Sequence, residues 1–253
     1  MAERFLKGEM PPLVCMVQAK TPERIKELVA LSKEAGAEAF GMQFSRLPDD
    51  RKGCELYREL FDAALPLPVY VTNYRGHPCN FNMGKDDDTL AKEILDIAKS
   101  GASLVDVMGD LFDPSPDELT TNVSAIEKQK RLIYELHAAG AEVLMSSHVH
   151  KFLPADKVVE MALEIQSRGV DICKIVTAAS SIEEQIENIR ITAILKKTLK
   201  IPFLFLAEGE SRISRRLGGV LGNCMSLCVY EHDECSTKEQ PLLSDMKKIR
   251  ELI

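Results

Sequence analysis

The chain has 253 residues, 45% of them hydrophobic and 28% charged, which suits a globular protein with one large core. Its 32 basic and 39 acidic residues leave a net charge of -7, and without a basic tract nucleic acid is not an expected partner. Seven cysteines without a repeated Cys-x-x-Cys spacing point to reduced thiols in a cytoplasmic protein, and the opening MAERFLKGEMPP offers neither a signal peptide nor a membrane anchor.

In chain order, a first apolar run at 13–17 reads as a strand and leads into a helix at 21–35. There Thr21 precedes Pro22, a capping residue followed by a proline suited to the first turn. A second strand at 39–44 precedes a helix at 54–64. A third, at 68–74, is followed by Arg75, then by His77 and Cys79, a thin pair for zinc with no second pair at ligand spacing. Asp86, Asp87 and Asp88 read as the cap of a helix at 88–100 rather than a metal site. The fourth strand, 104–108, puts Asp106 and Met108 on one face, before a helix at 116–139. The fifth, 142–146, runs into Ser147-His148-Val149-His150, which places His148 on the face of Leu144 and Ser146 at the C-terminal end. Imidazole is suited to proton transfer near neutral pH, and His150 is a weaker candidate for the same role. A helix at 155–168 follows.

The sixth strand, 171–176, carries the most informative residue. Ile172, Lys174 and Val176 share one side, Cys173 and Ile175 the other, and both sides are largely apolar, as on a strand covered on both faces. An ammonium is costly in such a layer, whereas a Schiff base requires a neutral amine. A lysine that snorkels outward or pairs with a carboxylate is the alternative. After a helix at 182–198, the seventh strand, 202–207, enters a helix at 212–221. Arg212, Arg215 and Arg216 at this junction suit an anion. An eighth strand at 224–229 and a helix at 242–253 complete the chain. Eight such alternations predict a single-domain (β/α)₈ TIM barrel over 1–253, with catalytic groups at the C-terminal strand ends. An open doubly wound sheet binding a dinucleotide would carry a Gly-x-Gly-x-x-Gly turn after its first strand, and VCMVQAKTPER has none.

Three segments, VLMSSHVHKF, GVDICKIVTAAS and ISRRLGGVLGN, occur in an order and spacing that resembles the type I 3-dehydroquinate dehydratase family. The resemblance places the family's histidine, Schiff-base lysine and carboxylate-binding arginine on His148, Lys174 and Arg215. STKEQ resembles the family's Ser-x-x-x-Gln loop, giving Ser236 and Gln240 as substrate-binding residues, and the family's strand 3 arginine falls on Arg75. It implies a homodimeric lyase of the shikimate pathway that dehydrates a small keto acid through a lysine imine, with no metal and no organic cofactor.

The departures are specific. Gly41-Met42-Gln43 stands where the family has Glu-Trp-Arg, Met108 where it has a strand 4 glutamate near the histidine, and Ser147 to His150 where it has Tyr-His-Asp-Phe. Gly and Met supply no charged group, so retained imine chemistry on a changed substrate is expected, with weak or absent turnover of 3-dehydroquinate. Asp106 is the carboxylate expected to replace the missing glutamate in part. Two other readings remain: a class I aldolase, although the acidic loop YEHDECSTKEQ would repel a phosphate, and a non-catalytic barrel that binds a small acid.

Overall fold

Strand and helix alternate along the whole of the described chain, residues 5–8, 10–76, 81–209 and 212–252 of a computed structural model. The elements are β1 Leu13–Val17, α1 Pro22–Glu34, β2 Ala39–Gln43, α2 Cys54–Ala64, β3 Val69–Thr72, α3 Asp87–Lys99, β4 Leu104–Met108 and α4 Val123–Ala138, then β5 Glu142–His148, α5 Ala155–Ser167, β6 Ile172–Ala179, α6 Ile182–Thr198, β7 Phe203–Gly209, α7 Arg212–Leu221, β8 Ser226–Cys228 and α8 Leu243–Glu251. The strands form one parallel sheet in the order β7-β6-β5-β4-β3-β2-β1-β8. The segment just before β8 closes onto β7 at the other end of the sheet. Cys224 N donates to Phe203 O at 2.8 Å, and the Asn223 side-chain amide satisfies both backbone groups of Phe205, at 2.8 and 2.9 Å. The sheet is therefore a barrel, as its strand and helix alternation predicts.

Alternation along the strands sorts the side chains into two cores. The larger lies between strands and helices and includes Phe40, Val105, Val143 and Cys173. The smaller fills the barrel with Val14, Tyr70, Leu104, Leu144, Ile172 and Leu204. Phe5 joins it, with its ring 6.3 Å from that of Tyr70.

Local chemistry sets most helix ends. Thr21 accepts from Arg24 N and Asp86 accepts from Thr89 N. Gly140 and Gly169 follow helices at φ +93° and +87°, values that a side chain disfavours. The larger differences from expectation lie where tertiary contacts take over. Helix α4 starts at Val123, capped by Asn122, and not at Pro116. Residues 109–122 instead form a loop held by the buried Arg168. Its Nη1 donates to Gly109 O at 2.7 Å and Gln129 Oε1 at 2.6 Å, and its Nη2 to Thr120 O at 2.6 Å. Strands β5, β6 and β7 run further at their C-terminal ends than local sequence indicates, because β6 pairs with β7 over seven residues, Cys173 to Ala179.

Candidate active site

Lys174 sits in register between Ser146 of β5 and Leu204 of β7, so its side chain points into the barrel. It is 5% exposed and lines a cavity of about 410 Å³ that also reaches His148, Arg215 and Gln240. Its surroundings are polar, which corrects the expectation of an apolar layer. Three oxygen-bearing side chains, from β3, the segment just past it and β4, meet Nζ inside the barrel. Nζ lies 2.7 Å from Tyr74 OH, 3.3 Å from Tyr70 OH and 3.3 Å from Asp106 Oδ2. Asp106 is itself saturated. Both phenols donate to Oδ2, Tyr74 at 2.6 Å, and Ser146 Oγ donates to Oδ1 at 2.6 Å. Burial, reinforced by the Asp106 charge, pushes both phenols well above the usual tyrosine range, so they remain protonated donors.

His148 ends β5 as expected, but its carboxylate partner is not Asp106. Glu118, from the loop between β4 and α4, accepts from His148 N and from its Nδ1, both at 2.9 Å. Burial pushes the Glu118 carboxyl up, yet the His148 imidazole and N–H outweigh it and hold it below its usual value. This contact fixes the tautomer and leaves Nε2 for proton transfer. Glu118 has φ +45°, a strained value for a residue with a Cβ. The ring edge of His148 packs on Tyr74, with centroids 5.2 Å apart and planes at 78°. The sequence contains no periodicity that marks Glu118; it falls within the helix expected over 116–139, which starts only at Val123.

Arg215 is 6% exposed, and Ala207 O accepts from its Nε at 2.8 Å. Burial pulls this guanidinium below its usual value, against the opposing charges of Glu208 and Glu239. Among the described residues no carboxylate forms an ion pair with it, so it faces the cavity as a desolvated cation. Two further buried oxygens, Thr72 Oγ1 and Gln240 Oε1, line the same cavity without a partner. Ser236 does not line it. Its hydroxyl accepts from Asp233 N and donates to Asp233 O within a tight turn, and the adjacent Thr237 reaches the cavity instead. Arg75 does line it, but its guanidinium lies against Asp87, at 2.7 Å from both oxygens, and Asp110, at 2.6 Å. Desolvation opposes the charge, and the two carboxylates overcome it and raise the Arg75 pKa.

The remaining sequence candidates lie outside this cluster. Arg212 and Arg216 are on the outer side of α7, where Arg216 Nη1 donates to Arg212 O. His150 is at the cavity rim, 2.9 Å from Glu208, and that contact raises its pKa. His77 and Cys79 lie outside the described residues. Around β2, a Cβ on Gly41 would come within 2.1 Å of Met16 Sδ; the thioether occupies the space a larger residue would need. Beside it, Gln18 Nε2 donates to Gln43 Oε1 at 2.6 Å, and Gln18 Oε1 accepts from Thr237 N at 2.9 Å. This wall of neutral amides was not evident from the sequence, since Gln18 falls just past β1.

An amine within a barrel, a histidine–carboxylate pair and a buried guanidinium without a carboxylate partner among the described residues form one site, and nearly the whole chain matches one family of known proteins. The type I 3-dehydroquinase family pattern matches residues 14–253. The 3-dehydroquinate dehydratase of Aromatoleum aromaticum is 23% identical over 256 residues, covering 99% of this chain and 93% of that protein. That of Clostridium novyi is 22% identical, covering 97% and 94%. Among solved structures, the type I 3-dehydroquinate dehydratase of Clostridium difficile, bearing covalently modified comenic acid, superposes with a TM-score of 0.82 at 17% identity, over 98% of this chain and 94% of that one. The 3-dehydroquinate dehydratase of Geobacillus kaustophilus gives 0.83 at 15%, over 100% and 96%. The chain belongs to the type I 3-dehydroquinase family.

Proposed function

We propose that this protein is a hydro-lyase that forms an imine between Lys174 and a cyclic keto acid, either 3-dehydroquinate or a less hydroxylated relative. The observation that carries this reading is the pairing, in one cavity, of a buried amine with a buried guanidinium that has no carboxylate ion-pair partner among the described residues. Arg215 and Gln240 receive the carboxylate and Lys174 attacks the ketone. The iminium then acts as the electron sink, so His148 can remove a proton from the adjacent carbon and deliver it to the departing β-hydroxyl. The covalently modified ligand of the Clostridium difficile protein is consistent with this chemistry in the family.

The β2 wall argues for a changed substrate. Met16 over Gly41 and the Gln18–Gln43 amides offer no charge to ring hydroxyls, and a site built for such hydroxyls discriminates by about 10⁴ or more. The test is borohydride reduction with 3-dehydroquinate and with keto acids lacking one or more of its hydroxyls, read by intact mass. An adduct is expected on the wild type and none on Lys174→Ala. The value of kcat/KM for 3-dehydroquinate is expected below about 10⁴ M⁻¹s⁻¹, the lower end of ordinary enzymes. An adduct that persists on Lys174→Ala, or none on the wild type with any keto acid, overturns the assignment.

A further inference from the structure

Turning an ammonium and a ketone into an iminium requires proton transfers at the nitrogen itself, distinct from those at carbon. The groups that touch Nζ of Lys174 are Tyr74, Tyr70 and Asp106. Resting on the imine reading above, we propose that Asp106 and Tyr74 are catalytic residues of imine formation: Asp106 accepts the proton that frees the Lys174 amine, and Tyr74 relays it to the ketone oxygen. His148 and Glu118 serve the carbon proton and the leaving hydroxyl.

The placement of each group supports this division. Asp106 Oδ2 is the carboxylate oxygen within 3.3 Å of Nζ. The carboxylates that line the cavity are engaged elsewhere, Glu118 with His148 and Glu208 with His150. Around Nζ, β3 contributes Tyr70, the segment just past it Tyr74 and β4 Asp106, whose other oxygen accepts from Ser146 of β5. The neighbouring β7 residues Leu204 and Leu206 are apolar. The two tyrosines differ in access. Tyr70 is fully buried against Phe5 and does not line the cavity, whereas Tyr74 does. Tyr74 alone of the two bridges Asp106, Nζ and the space a carbonyl oxygen enters.

The step balances. The ammonium gives one proton to Asp106, and the amine lone pair forms the N–C bond as the C=O π bond breaks onto oxygen. Tyr74 donates its hydroxyl proton to that oxygen and takes the proton held by Asp106. The second nitrogen proton follows the same route, the C–O bond breaks, and the nitrogen lone pair closes the iminium. Both protons lost by nitrogen leave in one water molecule, and Asp106 and Tyr74 return to their starting states.

The experiment is time-resolved borohydride trapping with the best keto acid, read by intact mass on wild type, Tyr74→Phe, Tyr70→Phe and Asp106→Asn. Loss of a positioned proton carrier costs about 10²–10⁴-fold. Trapping by Tyr74→Phe is expected to slow by that factor, and at least tenfold more than by Tyr70→Phe, which removes an equivalent hydrogen bond to Asp106. Asp106→Asn is expected to be as slow near neutrality and to recover as pH rises, because solvent then removes the proton. A merely structural role leaves the deficit of Asp106→Asn the same at every pH, and that result overturns the proposal, as does trapping by Tyr74→Phe at the wild-type rate. If Asp106→Asn does not fold, the two tyrosine variants decide alone. No adduct on the wild type overturns the imine reading itself and this proposal with it; adducts on wild type and Tyr74→Phe at equal rates overturn this proposal only.

Discussion

At the scale of single residues, the site separates two carboxylates into two tasks. Asp106 lies on β4 and faces Lys174; Glu118 lies on the following loop and faces His148. The resemblance to the family points to a histidine without its strand 4 glutamate, since Met108 stands there, and Glu118 reaches the imidazole from a different place in the chain. Glu118→Gln keeps the shape and removes the charge. Its effect is expected in kcat, with a loss of up to about 10²-fold from misorientation and KM little changed, measured by steady-state kinetics. The pH dependence has a definite sign. The folded Glu118 pKa is depressed, so its contribution to stability is complete above the unfolded carboxyl value of about 4.3. It is lost as pH falls through the lower folded value. The thermal stability gap between wild type and Glu118→Gln is therefore expected near neutrality and should close below about pH 4.

At the scale of elements, the loop between β4 and α4 delivers Glu118. The loop folds back over the strand end: Gly109 N donates to Ser146 O at 2.7 Å and Thr120 N to Gly109 O at 3.2 Å. A Cβ on Gly109 would come within 2.6 Å of Glu118 O and 3.1 Å of Ser146 O. Both are backbone atoms that cannot swing aside, so the glycine is what permits the approach. Gly109→Ala is expected to destabilise the protein by about 1–3 kcal/mol, as overpacking does, and to lower kcat by displacing Glu118. Imine trapping should persist, because the partners of Lys174 come from β3, the segment just past it and β4. Thermal unfolding with trapping on the same variant checks this, and wild-type kcat would refute it.

At the scale of the whole molecule, one side chain bridges the closing seam of the barrel beside the backbone bond from Cys224 to Phe203. Asn223 gives β7 the donor and acceptor that a strand neighbour would give, and Gly218 makes room for it, since a Cβ there would lie 2.4 Å from Asn223 Nδ2. Asn223→Ala leaves two buried backbone groups of Phe205 unpaired, at about 1–3 kcal/mol each. A loss of about 2–4 kcal/mol is expected in denaturant unfolding. Asn223→Asp should be worse, because a carboxylate accepts from Phe205 N but meets Phe205 O with no proton. Wild-type stability of Asn223→Ala would show that the seam does not depend on this amide.

The barrel was legible in the sequence because its signals are local. Eight apolar runs with two-sided burial, Thr21 before Pro22, and glycines such as Gly140 and Gly169 report on backbone preferences that hold wherever the segment sits. Alternation put Lys174 on one face with Ile172 and Val176, the face the closed sheet turns inward, and the terminal position of His148 followed from where β5 runs out. The environment of those residues did not follow. Asp106 and Tyr74 stand 68 and 100 positions from Lys174, and Glu118 stands 30 from His148 on a strained loop. Such contacts depend on barrel register and on how Arg168 and Gly109 fold the loop, which no local periodicity encodes. The same holds for Ser236 and Arg75: residue type suggested ligands, whereas the fold assigned the Ser236 hydroxyl to a turn and the Arg75 guanidinium to two aspartates. Sequence determined which side chains share a face, because alternation is a property of the strand; tertiary structure decided which face turns inward and which side chains meet, because both are properties of the closed sheet.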